Sequence, residues 1–376
     1  MIGKTATSVH SPAQMIDQRR MASLRDKSAL NALSVYAQVC IGFSLYLYEA
    51  VSTPGYLSTL LAAAALPLLF LPCWLLTRKK KAGLSVTASA AGARGAKVFF
   101  LCFFLLHLLD AQLAFFTLCA VVRDVMPDFG RAAVVLAAAL FCALGVGEDE
   151  GLDRLSRPLK WLIFALLIYC VIISVPHGSA AHFFPLLGYG PASVLRGALW
   201  MTGGLASTVW PMLSSGDHER PSGFFFALRA PLAAVGLGVF TYLVSVWLMP
   251  VYVMQRPESL GWRMLLMVHM TPSVPAWSME VIGLLFLLLA AVTYSASQAA
   301  LALAQSGGKQ KTPRYLTAAL LILLVPACVM DTDAAREILT AAAPWRAAAS
   351  FVLLGFLRLC SLIRNKKKAD APEDST

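Results

Sequence analysis

Long apolar runs, each close to the length of a membrane-crossing helix, recur from one end of this sequence to the other. A helix needs about 20 predominantly apolar residues to cross the hydrocarbon core of a bilayer. Only 14% of the 376 residues are charged, whereas soluble domains carry about 25%. The pattern predicts an all-α membrane protein and leaves no room for a soluble domain of useful size.

Proline, glycine and charged residues divide the apolar runs into about ten predicted membrane spans. Numbered in chain order, the spans cover about 29–51, 57–77, 98–122, 131–147, 159–176, 190–213, 230–250, 277–304, 315–330 and 345–363. The segment 251–275 is too charged to cross and is typical of an interfacial helix. Residues 1–28 are expected to form an N-terminal arm, residues 29–364 the ten-helix domain, and residues 365–376 a disordered charged tail.

The positive charges orient these spans. An even number of spans places both termini on one side of the membrane, and 23 of the 31 Lys and Arg residues fall on that side. Seven fall in the opposite loops, among them Arg336 and Arg346. This excess predicts cytoplasmic termini. The net charge of +11 is therefore an orientation signal that favours contact with membrane lipid, and no nucleic-acid partner is expected.

Glycines interrupt two spans near mid-membrane, Gly42 in span 1 and Gly203-Gly204 in span 6. Each glycine weakens a helix by about 1 kcal/mol relative to alanine. Unpaired backbone is tolerated in a membrane only where it is buried in protein or lines a cavity. A ligand site is therefore predicted at Gly42, Ser44, Tyr46, Thr202, Gly203, Gly204 and Ser207. Close helix packing by small residues is the alternative explanation.

Ten spans divide into five plus five, so that the second half begins from the opposite side of the membrane. Any internal repeat must then be inverted, with span 6 as the counterpart of span 1. Interrupted spans at matching places in two halves indicate a transporter-type binding site.

The chain resembles the endospore germination permeases, the B subunits of nutrient germinant receptors in the amino acid–polyamine–organocation (APC) superfamily. The resemblance lies in Ile41-Gly42, in the segment 184–191 and in Pro211, which closes span 6. It implies a LeuT/APC-like 5+5 inverted repeat with discontinuous helices 1 and 6. It also implies a permease-like subunit that binds an amino-acid-like nutrient and signals germination. Receptor A and C subunits would be its partners, in the spore inner membrane or the cell membrane.

Several ionisable and polar residues fall inside the spans. His107 and Asp110 lie three residues apart on one face of span 3, and Glu49 lies near the outer end of span 1. These three are candidates for proton or cation coupling, and Asp110 also for contact with a cationic ligand group. Ser295 and Gln298 of span 8 are further ligand candidates, because the resembled superfamily lines its central site with this helix. Ordinary structural roles remain open for each: a mutually satisfied pair, an interfacial carboxylate, or helix–helix hydrogen bonds.

No motif in the sequence indicates catalysis. Zinc-protease, phosphate-loop and nucleophile-elbow signatures are absent, and none of the eight cysteines forms a C-x-x-C pair. We therefore expect no enzyme, metal or cofactor. Two alternatives to the germinant-receptor subunit remain: a stand-alone proton- or cation-coupled amino-acid transporter, and a membrane scaffold that binds no small molecule.

Overall fold

The regular elements of the described chain are all helices. The computed structural model describes residues 55–77, 84–125, 175–184, 190–206, 279–307, 316–321 and 332–369, with single positions between 161 and 247. Its long helices are Gly55–Thr77 in span 2, Leu84–Val125 in span 3, Pro191–Ala206 in span 6, Met279–Gln305 in span 8 and Thr332–Ala369 in span 10. Spans 1 and 4 and the interfacial segment lie outside the described residues.

Spans 2 and 8 begin and end close to the predicted positions, but the helices of spans 3 and 10 are longer than predicted. Span 3 begins at Leu84, so Arg94 and Lys97 belong to the helix and not to a loop. Span 10 begins at Thr332 and continues to Ala369, through the first residues of the predicted tail. The apolar run in the sequence indicates only the part of the helix that lies in the hydrocarbon core. Alanine-rich flanks of high helix propensity continue the helix beyond it.

Many large apolar side chains are exposed on these helices, as expected in a lipid environment. Among the described residues, Val86–Gln112 and Trp345–Lys366 have the length and hydropathy of membrane spans. On span 3, Leu101, Leu105 and Leu109 are exposed at four-residue spacing. Such a continuous apolar stripe is uncommon on a soluble monomer, and on a membrane helix it faces the acyl chains.

Span 3 is the element on which much of the described structure is packed. Its most extensive interface is with span 8, and span 10 packs on it as well. Span 6 packs on spans 2 and 10. The phenylalanines of span 3 fill these interfaces, since Phe99, Phe103 and Phe115 are buried.

Three contacts fix spans 3 and 10 in an antiparallel register. Asp110 pairs with Arg346, the rings of Phe99 and Phe356 stack with centroids 6.0 Å apart, and Arg364 reaches the backbone beside Gly92. The interval from 92 to 110 equals that from 346 to 364, 18 residues in each helix. At a rise of 1.5 Å per residue the contacts extend over about 27 Å, nearly the thickness of the hydrocarbon core.

A kink at Gly92 separates a short helical segment, residues 84–91, from the rest of span 3. Gly92 has φ 79°, a left-handed conformation that a residue with a Cβ atom adopts only under strain. The kink leaves carbonyl groups at the end of the first segment without helical partners. Arg364 Nη1 donates to one of them, Ser89 O, at 3.0 Å. Arg364, near the end of span 10, therefore caps the kink in span 3.

The same short segment also holds the chain that follows span 6. The Thr87 hydroxyl donates to Leu213 O at 3.1 Å, and Thr87 is fully buried. Residues 84–91 thus connect the far end of span 6 to the far end of span 10.

The segment before span 6 is fixed on span 7. Ser179 N–H donates to Trp247 O at 2.9 Å, and the His182 ring lies 3.0 Å from the same oxygen through Nδ1. Gly178 packs so closely on the Trp247 indole that an added Cβ would lie 1.8 Å from the ring. Two short 3₁₀ helices, Val175–His177 and Ala180–Phe183, form around this contact and lead the chain into span 6.

Replacing Gly92 by alanine should destabilise the protein by about 1–2 kcal/mol, because the left-handed backbone strains any side chain. The new Cβ would also lie 3.3 Å from Arg364 Nη1. Thermal unfolding of the purified protein in detergent measures the effect. Gly355→Ala is the matched control, since its Cβ meets nothing within 4 Å and lies inside a helix. We expect this control to be at least as stable as the unchanged protein. Equal stability of both variants would contradict the role assigned to the kink.

Candidate ligand site

A buried ion pair lies on the face of span 3 where the sequence predicted ionisable residues. Asp110 is bonded by Arg346 of span 10, and both side chains are buried. His107 is fully buried one turn earlier on the same helix. A carboxylate in an apolar interior requires a partner, and the guanidinium supplies an opposite charge together with a hydrogen bond. Asp110 was a candidate for contact with a cationic ligand group, and in the structure it is paired with Arg346 of the protein itself.

Arg346, the partner of Asp110, was predicted to lie in an outer loop, and this prediction was wrong. Arg346 is the second residue of the predicted span 10, and its charge was counted with the outer loops. In the structure the helix starts at Thr332, and Arg346 is 9% exposed. An isolated arginine among alanines beside an apolar run, in a chain with an intramembrane carboxylate, was the available signal.

Gln112 joins span 3 to span 9. Its Nε2 donates to Leu320 O at 3.1 Å and to Leu321 O at 3.5 Å, and its side chain is buried. Gln112 follows Asp110 by two residues and therefore lies on another face of span 3, which agrees with its contact to another helix. This amide is therefore engaged in packing.

Span 6 is helical where it was predicted to unwind. The helix continues through Gly203 and Gly204 and ends at Ala206, and the backbone turns at Val209 and Trp210. Small residues allow close packing, and Gly203 is buried. The predicted break at Gly203-Gly204 is therefore wrong in position, because the helix ends after these glycines.

The Thr202 hydroxyl of span 6 is satisfied within the helix, and the chain that follows the helix packs on span 3. The Thr202 hydroxyl donates to Ala198 O at 2.8 Å. Beyond the helix end, the Trp210 ring lies 5.1 Å from the ring of Phe103, and both are buried. Thr202 therefore has its hydrogen bond without a ligand, and Trp210 brings the end of span 6 against span 3.

Span 8 differs from span 6 in having buried polar atoms without partners. Ser295 Oγ and Gln298 Oε1 make no hydrogen bond to any described residue, although both side chains are buried. The neighbouring Thr293 hydroxyl donates to Leu289 O at 2.8 Å. A buried polar atom without a partner typically costs about 1–3 kcal/mol, so these two atoms need an explanation that the described residues do not supply.

The predicted site residues of spans 3 and 8 lie on two helices that pack on each other, whereas span 6 packs mainly on spans 2 and 10. Asp110 contacts Arg346, which the sequence did not predict as a site residue. Gly204 belongs to the helix of span 6. The predicted residues outside the described part of the chain are Gly42, Ser44, Tyr46, Glu49 and Ser207.

The fold is that of LeuT-type transporters, and the chain is an integral membrane protein of that structural class. It matches no family model and no curated protein by sequence. Among solved structures it is similar to MHP1, a nucleobase-cation-symport-1 family transporter with bromovinylhydantoin bound, at 15% identity and a TM-score of 0.62 over 89% of this chain and 77% of that chain.

Two further transporters share the fold. The manganese transporter of Eremococcus coleocola, in the form of a point mutant, matches with a TM-score of 0.53 and 16% identity over 98% of this chain and 92% of that one. A Na⁺-coupled sialic acid symporter matches with a TM-score of 0.52 and 13% identity over 90% of this chain and 75% of that chain. At these identities the likeness shows the fold alone.

Removing one partner of the Asp110–Arg346 pair should destabilise the protein by about 3–5 kcal/mol, because the other charge is left buried and unpaired. Asp110→Asn and Arg346→Gln test this by thermal unfolding in detergent. Replacing both residues by apolar ones of similar size, Asp110→Leu with Arg346→Met, should recover most of the loss. Single variants as stable as the parent would show that the pair does not hold spans 3 and 10 together.

Proposed function

We propose that this protein binds a small nutrient inside a transporter-type helix bundle, as the permease-like subunit of a spore germinant receptor. The observation that carries the binding function is the LeuT-type fold, shared over most of the chain with transporters of small substrates. The receptor role rests on the resemblance of Ile41-Gly42 and segment 184–191 to germination permeases. Under this proposal the bundle has ten spans in a 5+5 inverted repeat, with both termini cytoplasmic.

Signalling would follow from ligand-dependent population of one conformer. A ligand shifts an equilibrium only as far as its affinities for the two states differ. The receptor A and C subunits would respond to that change in the population of conformers. Nothing in the proposal requires catalysis, and we assign no enzymatic activity to the chain.

A stand-alone proton- or cation-coupled transporter is the second candidate, and the fold neighbours favour it because two of them are named for symport with a cation. Uptake into proteoliposomes under an imposed ion gradient separates the two candidates. Flux by the purified chain supports the transporter, and ligand binding without flux supports the receptor subunit. Failure to co-purify with A and C subunits from sporulating cells would contradict the receptor role.

A nutrient ligand should raise the stability of the purified protein. At about 100 times its dissociation constant, a ligand that binds only the folded state adds about 2.7 kcal/mol. Thermal unfolding in nanodiscs, screened against amino acids, sugars and uncharged nitrogen compounds, measures this. If no compound changes the unfolding temperature, the scaffold without a binding site becomes the better description.

A further inference from the structure

The charges of the described spans are already balanced in the interior. Among the residues whose burial the structure describes, Asp110 is the buried carboxylate and Arg346 the buried guanidinium, and they are bonded to each other. A ligand ammonium group would have to compete with Arg346 for Asp110, and a ligand carboxylate would have to compete with Asp110 for Arg346. Separating such a pair leaves a buried charge without its partner, which is strongly unfavourable.

The buried polar atoms that remain available are uncharged. Ser295 Oγ and Gln298 Oε1 on span 8, and Ser350 Oγ on span 10, have no hydrogen-bond partner among the described residues. Ser295 and Gln298 are 0% and 5% exposed, and they share one helix. Ser295 and Gln298 are three residues apart in the helix. Residues at this spacing are neighbours on one helix face, so the two groups lie next to each other on span 8. The amide oxygen accepts a hydrogen bond, and the hydroxyl both donates and accepts.

We propose, resting on the binding function above, that Ser295 and Gln298 bind an uncharged nutrient through its hydrogen-bonding groups. The matching ligand presents an N–H or O–H donor to Gln298 Oε1 and an adjacent acceptor to the Ser295 hydroxyl. Amide and ureido compounds carry this donor–acceptor pair, and polyols provide it through neighbouring hydroxyls. Asp110 then serves to hold spans 3 and 10 in register, and the amino-acid-like ligand implied by the resemblance is replaced by an uncharged one.

Neighbouring hydroxyl groups provide controls, because they are satisfied without a ligand. Thr293 donates to Leu289 O at 2.8 Å on the same helix, and Thr202 donates to Ala198 O at 2.8 Å on span 6. Replacing Thr293 by valine removes a buried hydroxyl of span 8 whose hydrogen bond stays within the helix. It is therefore the matched control for Ser295→Ala.

The first experiment measures binding to the full chain in nanodiscs. Uracil, allantoin, glucose and inositol serve as uncharged probes, and alanine, glutamate and lysine as charged ones. We expect stabilisation by an uncharged probe, and a dissociation constant about tenfold weaker in Ser295→Ala and in Gln298→Met. Thr293→Val should bind as the parent does.

The second experiment needs no ligand. Without a probe, Ser295→Ala and Gln298→Met should unfold at a higher temperature than the parent, because each removes a buried polar atom that has no partner. Thr293→Val should not gain stability, since its hydroxyl is satisfied.

The outcomes separate this inference from the function on which it rests. Stabilisation by amino acids, unchanged in the Ser295 and Gln298 variants, overturns the uncharged ligand and leaves nutrient binding intact. Stabilisation by none of the probes, together with lower stability of both variants, overturns both. Uncharged probes that bind equally well to all variants overturn the assignment of these two residues.

Discussion

An ion pair inside an apolar bundle constrains every helix that carries it. Asp110 and Arg346 can be buried only together, so spans 3 and 10 have one permitted alignment along their length. Phe99 on Phe356, and Arg364 at the Gly92 kink, continue the same alignment to the other end of both helices. Because span 8 and the end of span 6 also pack on span 3, their positions depend on this alignment as well.

Some buried polar side chains of the described spans make hydrogen bonds within the protein, whereas others have atoms that make none. Gln112 and Thr202 donate to backbone carbonyls of the protein, and these bonds contribute to packing. Ser295 and Gln298 have buried atoms that the described fold leaves without hydrogen bonds. Native proteins retain few such atoms, and each one that persists needs an explanation, such as strain, a functional role, or a bound water or ion. The presence of such a hydrogen bond indicates a polar residue that contributes to helix packing, and its absence indicates one whose polar atom is available to a ligand.

Sequence alone predicted the class of fold because the relevant signal is simple. The length and hydropathy of apolar runs define membrane helices, and spans 2 and 8 lie where those runs were found. Helix ends were less predictable, since alanine-rich flanks extend spans 3 and 10 beyond the apolar core. The ten-span count and the inverted repeat stay predictions.

The site was predicted less well than the fold, because tertiary contacts decide it. His107 and Asp110 were recognised as buried ionisable residues, but the partner of Asp110 lies 236 positions away. No local pattern carries that pairing. Intrinsic helix propensity suggested a break at Gly203-Gly204, yet the helix continues to Ala206, since packing outweighs the preference of two glycines. Ser295 and Gln298 were named from the sequence, whereas their lack of partners became visible only in three dimensions.

The distance between Asp110 and Arg346 along the chain has a consequence for biosynthesis. Span 3 enters the membrane while most of the protein is still untranslated, and its carboxylate then has no counter-charge from span 10. At about 5–20 residues per second, many seconds pass before Arg346 leaves the ribosome. During that interval the nascent bundle holds a costly intramembrane acid, which a lipid headgroup, a proton or an insertion factor must accommodate. The ion pair that fixes span 3 can therefore form only after 236 further residues have been made.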